Sequence, residues 1–160
     1  MAGYASSTSV GIDRTKAEIE ATLKRYGAGK FSSGWDEEAG TVFVNFFCQE
    51  RFIRFTVPMP KADEKRFTHG GRYGHRRTPA QQAEAYEQEL RAVWRRLLLV
   101  IRAKLESVES KIETFEESFL AQIVIPNGET MGTWAKQNLD SVYKLGEMPT
   151  MNALPPHTGG

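Results

Sequence analysis

Apolar residues return at two different periods along this chain, and the changes of period divide it into elements. Ile19, Leu23 and Tyr26 recur at helical spacing behind Thr15 and Glu18. That T-x-x-E pair can form a capping box, in which each side chain satisfies an unbonded N–H of the first turn. Gly27 is a natural stop, so the spacing predicts a helix over about Thr15–Tyr26. The period then drops to two. Phe31–Trp35, Thr41–Cys48 (TVFVNFFC) and Arg51–Val57 (RFIRFTV) read as three strands. Polar turns at Asp36–Gly40 and Gln49–Glu50 join them, and Pro58 and Pro60 forbid a central strand beyond that point. The result is an antiparallel meander.

The helical period returns after Thr78. Thr78, Pro79 and Gln81 mark a sharp N-terminus, and Tyr86, Leu90, Val93, Trp94, Leu97, Ile101, Leu105 and Val108 follow at steps of three and four. A helix of this length is about 45 Å long, more than one small core requires, so part of it is expected to pack on another copy of the chain. Thr114 and Glu117 make a further T-x-x-E cap for a short helix through about Gln122. Pro126-Asn127-Gly128 is a turn, and Thr130 caps a last helix over about Met131–Leu145, ended by Gly146. The fold class read from this pattern is α+β: an N-terminal helix, a β-meander of three strands, a long helix and two shorter C-terminal helices. Residues 1–12 read as a flexible arm, 13–149 as a single domain and 150–160 as a disordered tail.

Between the meander and the long helix lies Lys61–Arg77, which has no periodicity and contains Gly70, Gly71 and Gly74. It reads as a long mobile loop with room for an irregular hairpin. Its six cations (Lys61, Lys65, Arg66, Arg72, Arg76 and Arg77) face only two acids, Asp63 and Glu64, with Phe67, His69, Tyr73 and His75 interleaved. This local excess matters because the whole chain is nearly neutral, with 21 Lys and Arg against 20 Asp and Glu. Any attraction for a polyanion must come from clustering rather than net charge.

Composition narrows the chemistry further. The single cysteine, Cys48, excludes an intramolecular disulfide and a multi-cysteine zinc site. The longest apolar run, near Leu97–Ile101, is far too short for a membrane span, and the N-terminus carries no basic-then-apolar signal. These features lead to an expectation of a soluble protein of the cytoplasm, with no membrane partner and no cofactor. Asp63, Glu64, His69 and His75 match no zinc spacing, Ser32-Ser33-Gly34 is not a nucleophile elbow, and the phosphate-loop and dinucleotide glycine motifs are absent. A non-enzymatic role is expected.

Four segments carry a resemblance: KAEIEATLKRYGA (Lys16–Ala28), RFIRFTVPMP (Arg51–Pro60), VIRAKLESVES (Val100–Ser110) and TFEESFLAQIVIPNGETMG (Thr114–Gly132). Together, over about Val10–Pro149, the chain resembles a group of small uncharacterised proteins encoded in bacteriophage and prophage genomes. The resemblance implies a protein acting in the cytoplasm of an infected bacterium. It implies no catalytic motif and no functional residue.

Two constellations suggest binding. Alternation along the strands puts Val42, Val44, Phe46, Ile53, Phe55 and Val57 on one face, the expected core face, and Phe43, Asn45, Phe47, Phe52 and Arg54 on the other. Left open, the second face offers flat rings for bases and a cation for phosphates; covered by a helix, the same rings are core. The second constellation is the basic loop, with Lys65, Arg66, Arg72, Tyr73, Arg76 and Arg77 as candidate contacts, against a reading as an ordinary solvated loop. The arginines of the long helix, Arg91, Arg95 and Arg102, read better as a salt-bridged face. The expected function is binding of single-stranded nucleic acid, most simply DNA in phage replication or recombination, by a homo-oligomer joined through the long helix. The alternative is a phage-encoded interaction protein that inhibits a host defence protein or captures a signalling nucleotide.

Overall fold

The computed structural model describes residues 10–146. The expected tail at 150–160 and most of the expected arm at 1–12 lie outside that range. The fold is α+β. Helix α1 (Val10–Arg25) leads into a sheet of β1 (Gly29–Asp36), β2 (Thr41–Cys48) and β3 (Arg51–Pro58) in the antiparallel order β1-β2-β3. A one-turn helix α2 (Lys65–Thr68) and a two-residue hairpin of β4 (His69–Gly70) and β5 (His75–Arg76) follow. Then come the 31-residue α3 (Pro79–Glu109), the short α4 (Phe115–Phe119) with a 3-10 turn at Leu120–Gln122, and α5 (Met131–Leu145). Among the described residues no helix is long and apolar enough to cross a membrane.

The capping motifs of the long helix and of the short one after it form as the sequence predicts. Thr78 and Gln81 exchange side-chain and backbone bonds at the start of α3, and Thr114 and Glu117 do so at α4. Thr130 caps α5, and Gly146, at φ 65°, closes it in the left-handed conformation. The first helix departs from expectation. It begins at Val10, inside the stretch read as an arm, and Thr15 is an interior residue rather than a cap. Ile12 extends the buried stripe of Ile19 and Leu23 one turn further back. Thr15 Oγ1 donates to the Gly11 carbonyl at 3.1 Å, the back-bond of a threonine inside a helix.

The core lies between one face of the sheet and the helices α1 and α3. Strand register pairs Val42 with Val57, Val44 with Phe55 and Phe46 with Ile53, so the expected core face is continuous. Val42, Val44, Phe46 and Ile53 are fully buried, and they meet Leu90, Trp94, Leu98 and Ile101 of α3 with Ile12, Ile19 and Leu23 of α1. Phe119 of α4 plugs one end. Its ring meets Phe46 and Phe55 edge-on at 5.9 and 6.2 Å and stacks on Phe115 at 4.7 Å. Lys104 and Ser118 lock α4 to α3 by exchanging bonds, Nζ to the Ser118 carbonyl at 2.6 Å and Oγ to the Lys104 carbonyl at 3.1 Å. The outer edge of β3 is partly occupied, since Ile53 bridges to Ile123 and the Val124 N–H donates to the Phe52 carbonyl.

The β2–β3 connection carries local strain. Gln49 and Glu50 form a two-residue turn with both φ values positive, 47° and 62°. That is the hairpin geometry for which Asn-Gly is preferred, because a Cβ is disfavoured there. Replacing the pair, Gln49→Asn with Glu50→Gly, is predicted to raise the unfolding free energy by about 1 kcal/mol, measured by urea denaturation. An unchanged or lowered midpoint would show that the turn is not strained.

Candidate functional site

The second sheet face is open. No described helix covers it, and Phe47 and Phe52, a cross-strand pair, remain 37% and 41% exposed. Their rings lie 6.5 Å apart at a tilt of 54°. Strand pairing arranges this face in rows. At the hairpin end Phe47 and Phe52 are joined by Lys30, whose ammonium stands 5.7 Å from the Phe47 ring. Lys30 reaches that position because β1 has an irregularity between Gly29 and Phe31, where Lys30 takes a φ of 54°.

The next row is polar and runs across all three strands. Ser32 pairs with Asn45, and Asn45 with Arg54. Asn45 Nδ2 donates to Ser32 Oγ at 3.4 Å, and Arg54 Nε donates to Asn45 Oδ1 at 3.3 Å. Arg54 Nη1 also donates to the Gly128 carbonyl at 2.9 Å, so the turn before α5 holds the guanidinium over the face. In the third row Phe43 lies across the bare backbone of Gly34. A Cβ there would come within 2.8 Å of the Phe43 ring, and the ring is half-buried as a result. The two aromatic rows are four residues apart on β2, roughly 13 Å.

Chemically, the face offers flat apolar rings, an ammonium beside one of them, and a guanidinium whose Nη2 makes no bond to any described residue. Bases stack on such rings, and phosphates or base edges bond to such cations. The sequence missed Lys30 and Ser32. The irregularity that aims Lys30 has no composition signal, whereas Ser32 lies inside the expected strand Phe31–Trp35, and only its register against Asn45 was missing.

The basic segment contains the irregular hairpin for which the sequence left room, preceded by the one-turn α2 that it did not anticipate. Glu64 accepts from the Lys61 N–H at 2.7 Å, and this bond first, then the Arg66 guanidinium, holds its carboxyl below the usual range. Phe67 is buried and meets Tyr86 of α3 edge-on at 5.5 Å. Gln82 Nε2 reaches back to the Ala62 carbonyl at 2.8 Å. Two of the expected phosphate contacts are committed to this fold. Arg66 pairs with Glu64 at 2.7 Å and Glu89 at 3.6 Å. Arg77 folds over Gly70, where a Cβ would come within 2.6 Å of its guanidinium. Its Nη1 donates to the carbonyls of Arg66 and Phe67, at 3.0 and 3.3 Å. A guanidinium that satisfies two carbonyls at the end of α2 is a structural clamp.

Lys65, Arg72 and Arg76 remain exposed, with Tyr73 at the hairpin tip, 78% exposed and edge-on to His75 at 6.1 Å. Beside them a cleft of about 510 Å³ is lined by Gly70, Gly71, His75, Arg76, Gln81 and Glu84, among others. No three His, Cys, Asp or Glu side chains among the described residues come together as metal ligands. Cys48 is buried, and burial pushes its thiol up, away from nucleophilic form.

The structure does not bring the two constellations together. The basic segment packs on the first turns of α3 through Phe67 on Tyr86, and the Glu37 charge of the β1–β2 turn also acts on Tyr86. The Phe47–Phe52 pair sits at the other end of the strands, where Gln49 adjoins Val108 in the last turn of α3 and Lys111 just beyond it. Along β2 alone, Thr41 to Phe47 is roughly 20 Å.

Comparison with protein-family models, with curated proteins and with solved structures finds no match to this chain in any of the three. The clamp and the free tip arginines are predicted to separate on substitution. Arg77→Ala lowers stability by about 1–3 kcal/mol, because two carbonyls lose a charged donor. Arg72→Ala changes it by less than about 0.5 kcal/mol. Urea unfolding of both variants measures the contrast, and equal effects would remove the clamp.

Proposed function

We propose that this protein binds single-stranded nucleic acid on the open face of β1–β3, as a non-enzymatic factor in bacteriophage replication or recombination. The observation that carries the reading is the Phe47–Phe52 pair, left in water beside Lys30 and across from the tethered guanidinium of Arg54. One base stacks on the pair, Phe43 supports a second, and Lys30 and Arg54 meet the phosphates or base edges between them. A duplex hides its base faces and cannot use the rings. Lys65, Arg72 and Arg76 act separately, as a positive surface that attracts the chain of phosphates without contacting the stacked bases. Copies joined along α3 present several such faces to one strand and raise avidity.

A second reading is favoured by the cleft beside the hairpin. Arg76 and His75 on its wall suit a small anionic nucleotide, which would make the protein a sponge for a signalling molecule.

Fluorescence anisotropy with a labelled single-stranded oligonucleotide separates the two. Phe47→Ala with Phe52→Ala is expected to weaken binding tenfold or more, since stacking is worth about 1–3 kcal/mol per base. Affinity is expected to fall with salt, and Arg72→Ala with Arg76→Ala to flatten that slope. Undiminished binding by the double phenylalanine variant would remove the sheet face from the site. Binding of a mononucleotide that needs Arg76 but neither phenylalanine would establish the second reading.

A further inference from the structure

Helix α3 has a second face that its own fold leaves in water, bordered at one end by a groove where Ala103 and Glu106 adjoin Thr22 and Arg25 of α1 and Tyr26. The core stripe from Leu90 to Leu105 looks toward the sheet and α1. At 100° per residue, Ala92, Leu99 and Ala103 fall within about 40° of one another on the far side. Leu99 is 59% exposed, and Val100 beside it 45%. An isolated exposed leucine is ordinary; the charges around this one make it informative. Arg91, Arg96 and Arg102 are each committed within the chain, to Glu87, Glu89 and Glu18. Arg95 and the carboxylate of Glu106 are exposed, and neither has a hydrogen-bond or ion-pair partner among the described residues. Both lie on the same flank of Leu99, within about 40° of it, one toward each end of the helix.

We infer that this face docks a second copy of the same chain, with the two α3 helices antiparallel about a two-fold axis at the height of the Val100–Ile101 step. A two-fold axis of that kind sets like flanks opposite each other. Arg95 of each copy then meets Glu106 of the other, and Leu99 of each packs over Ala103 of the other, where a methyl group permits close approach. Both matches need the same axial register to within one residue. A parallel pair would instead set Arg95 against Arg95 and Glu106 against Glu106, so the charges choose the direction. The overlap runs from Ala92 to Ser110, roughly 27 Å of helix. This seam gives geometry to the association along α3 in the proposed function. It rests on that association but not on the ligand of the sheet, and its test contains no nucleic acid.

The test is sedimentation velocity of the full chain and of two charge-reversal variants, Arg95→Glu and Glu106→Arg, with circular dichroism to confirm that each is folded. The native chain is expected to be a dimer at about 100 μM, an ordinary concentration for a modest interface. Each variant sets like charges at both contacts and is expected to dimerise about tenfold or more weakly. Mixing the two variants makes both contacts attractive again, so the mixture is expected to return to the native dimer. A native chain that stays monomeric overturns the seam. So do variants that dimerise as the native chain does, and a mixture no tighter than its components.

Discussion

The rest of this structure depends on a sheet that is packed on one side only. Two helices, α1 and α3, and the plug of α4 all meet the face carrying Val42, Val44, Phe46, Ile53 and Phe55. Three strands with one apolar face and a helical layer over it make a sufficient core, and the short α5 is not used to close the other side. None of its residues is fully buried. The rings on the second face therefore stay in water. Phe47 and Phe52 keep 37% and 41% of their surface in water. Covering it would be favourable by roughly 1 kcal/mol each, so leaving it exposed costs stability that a purely structural sheet has no reason to give up. That is the physical ground for reading the face as a surface made for a ligand.

Two features qualify the face for one kind of ligand. The rings come in rows separated by a polar row rather than as one continuous greasy patch, which disfavours a second apolar surface. The cations are aimed at the face: Arg54 is tethered by Asn45 and the Gly128 carbonyl, and the irregular start of β1 directs Lys30 toward the Phe47 ring. Pre-positioned donors lose less freedom on binding than loose ones. The basic hairpin belongs to a different part of the molecule, and in the proposed function its contribution is charge rather than recognition.

Much of the fold was legible because local signals and burial agree in it. The period-two pattern of TVFVNFFC and RFIRFTV gave the strand register, and the threonine caps at Thr78, Thr114 and Thr130 gave three helix starts. The first helix misled because Thr15 and Glu18 look like a capping box from sequence, while Ile12, one turn earlier, belongs to the same buried stripe. The segment Lys61–Arg77 was legible only as far as its hairpin. Its order comes from contacts distant in sequence, Phe67 on Tyr86 and Gln82 on Ala62, and no count of glycines and arginines reports those. The same holds for Arg77, whose partners are two carbonyls exposed only once α2 has formed. Within the candidate site, alternation identified Phe43, Phe47, Phe52 and Arg54, but whether a helix covered them was a tertiary question.

The account turns on which phenylalanines touch the ligand. The chain has nine, and the fold divides them: Phe43, Phe47 and Phe52 on the open face, Phe46, Phe55, Phe67, Phe115 and Phe119 in buried positions, and Phe31 half-buried against the core. An NMR titration of protein labelled with carbon-13 in its phenylalanine rings, with a short single-stranded oligonucleotide added stepwise, reads all nine at once. The account predicts large shifts at Phe47 and Phe52, a smaller one at Phe43, and none at Phe46, Phe55 or Phe119. Shifts confined to other rings, or no shift at saturating oligonucleotide, would contradict it.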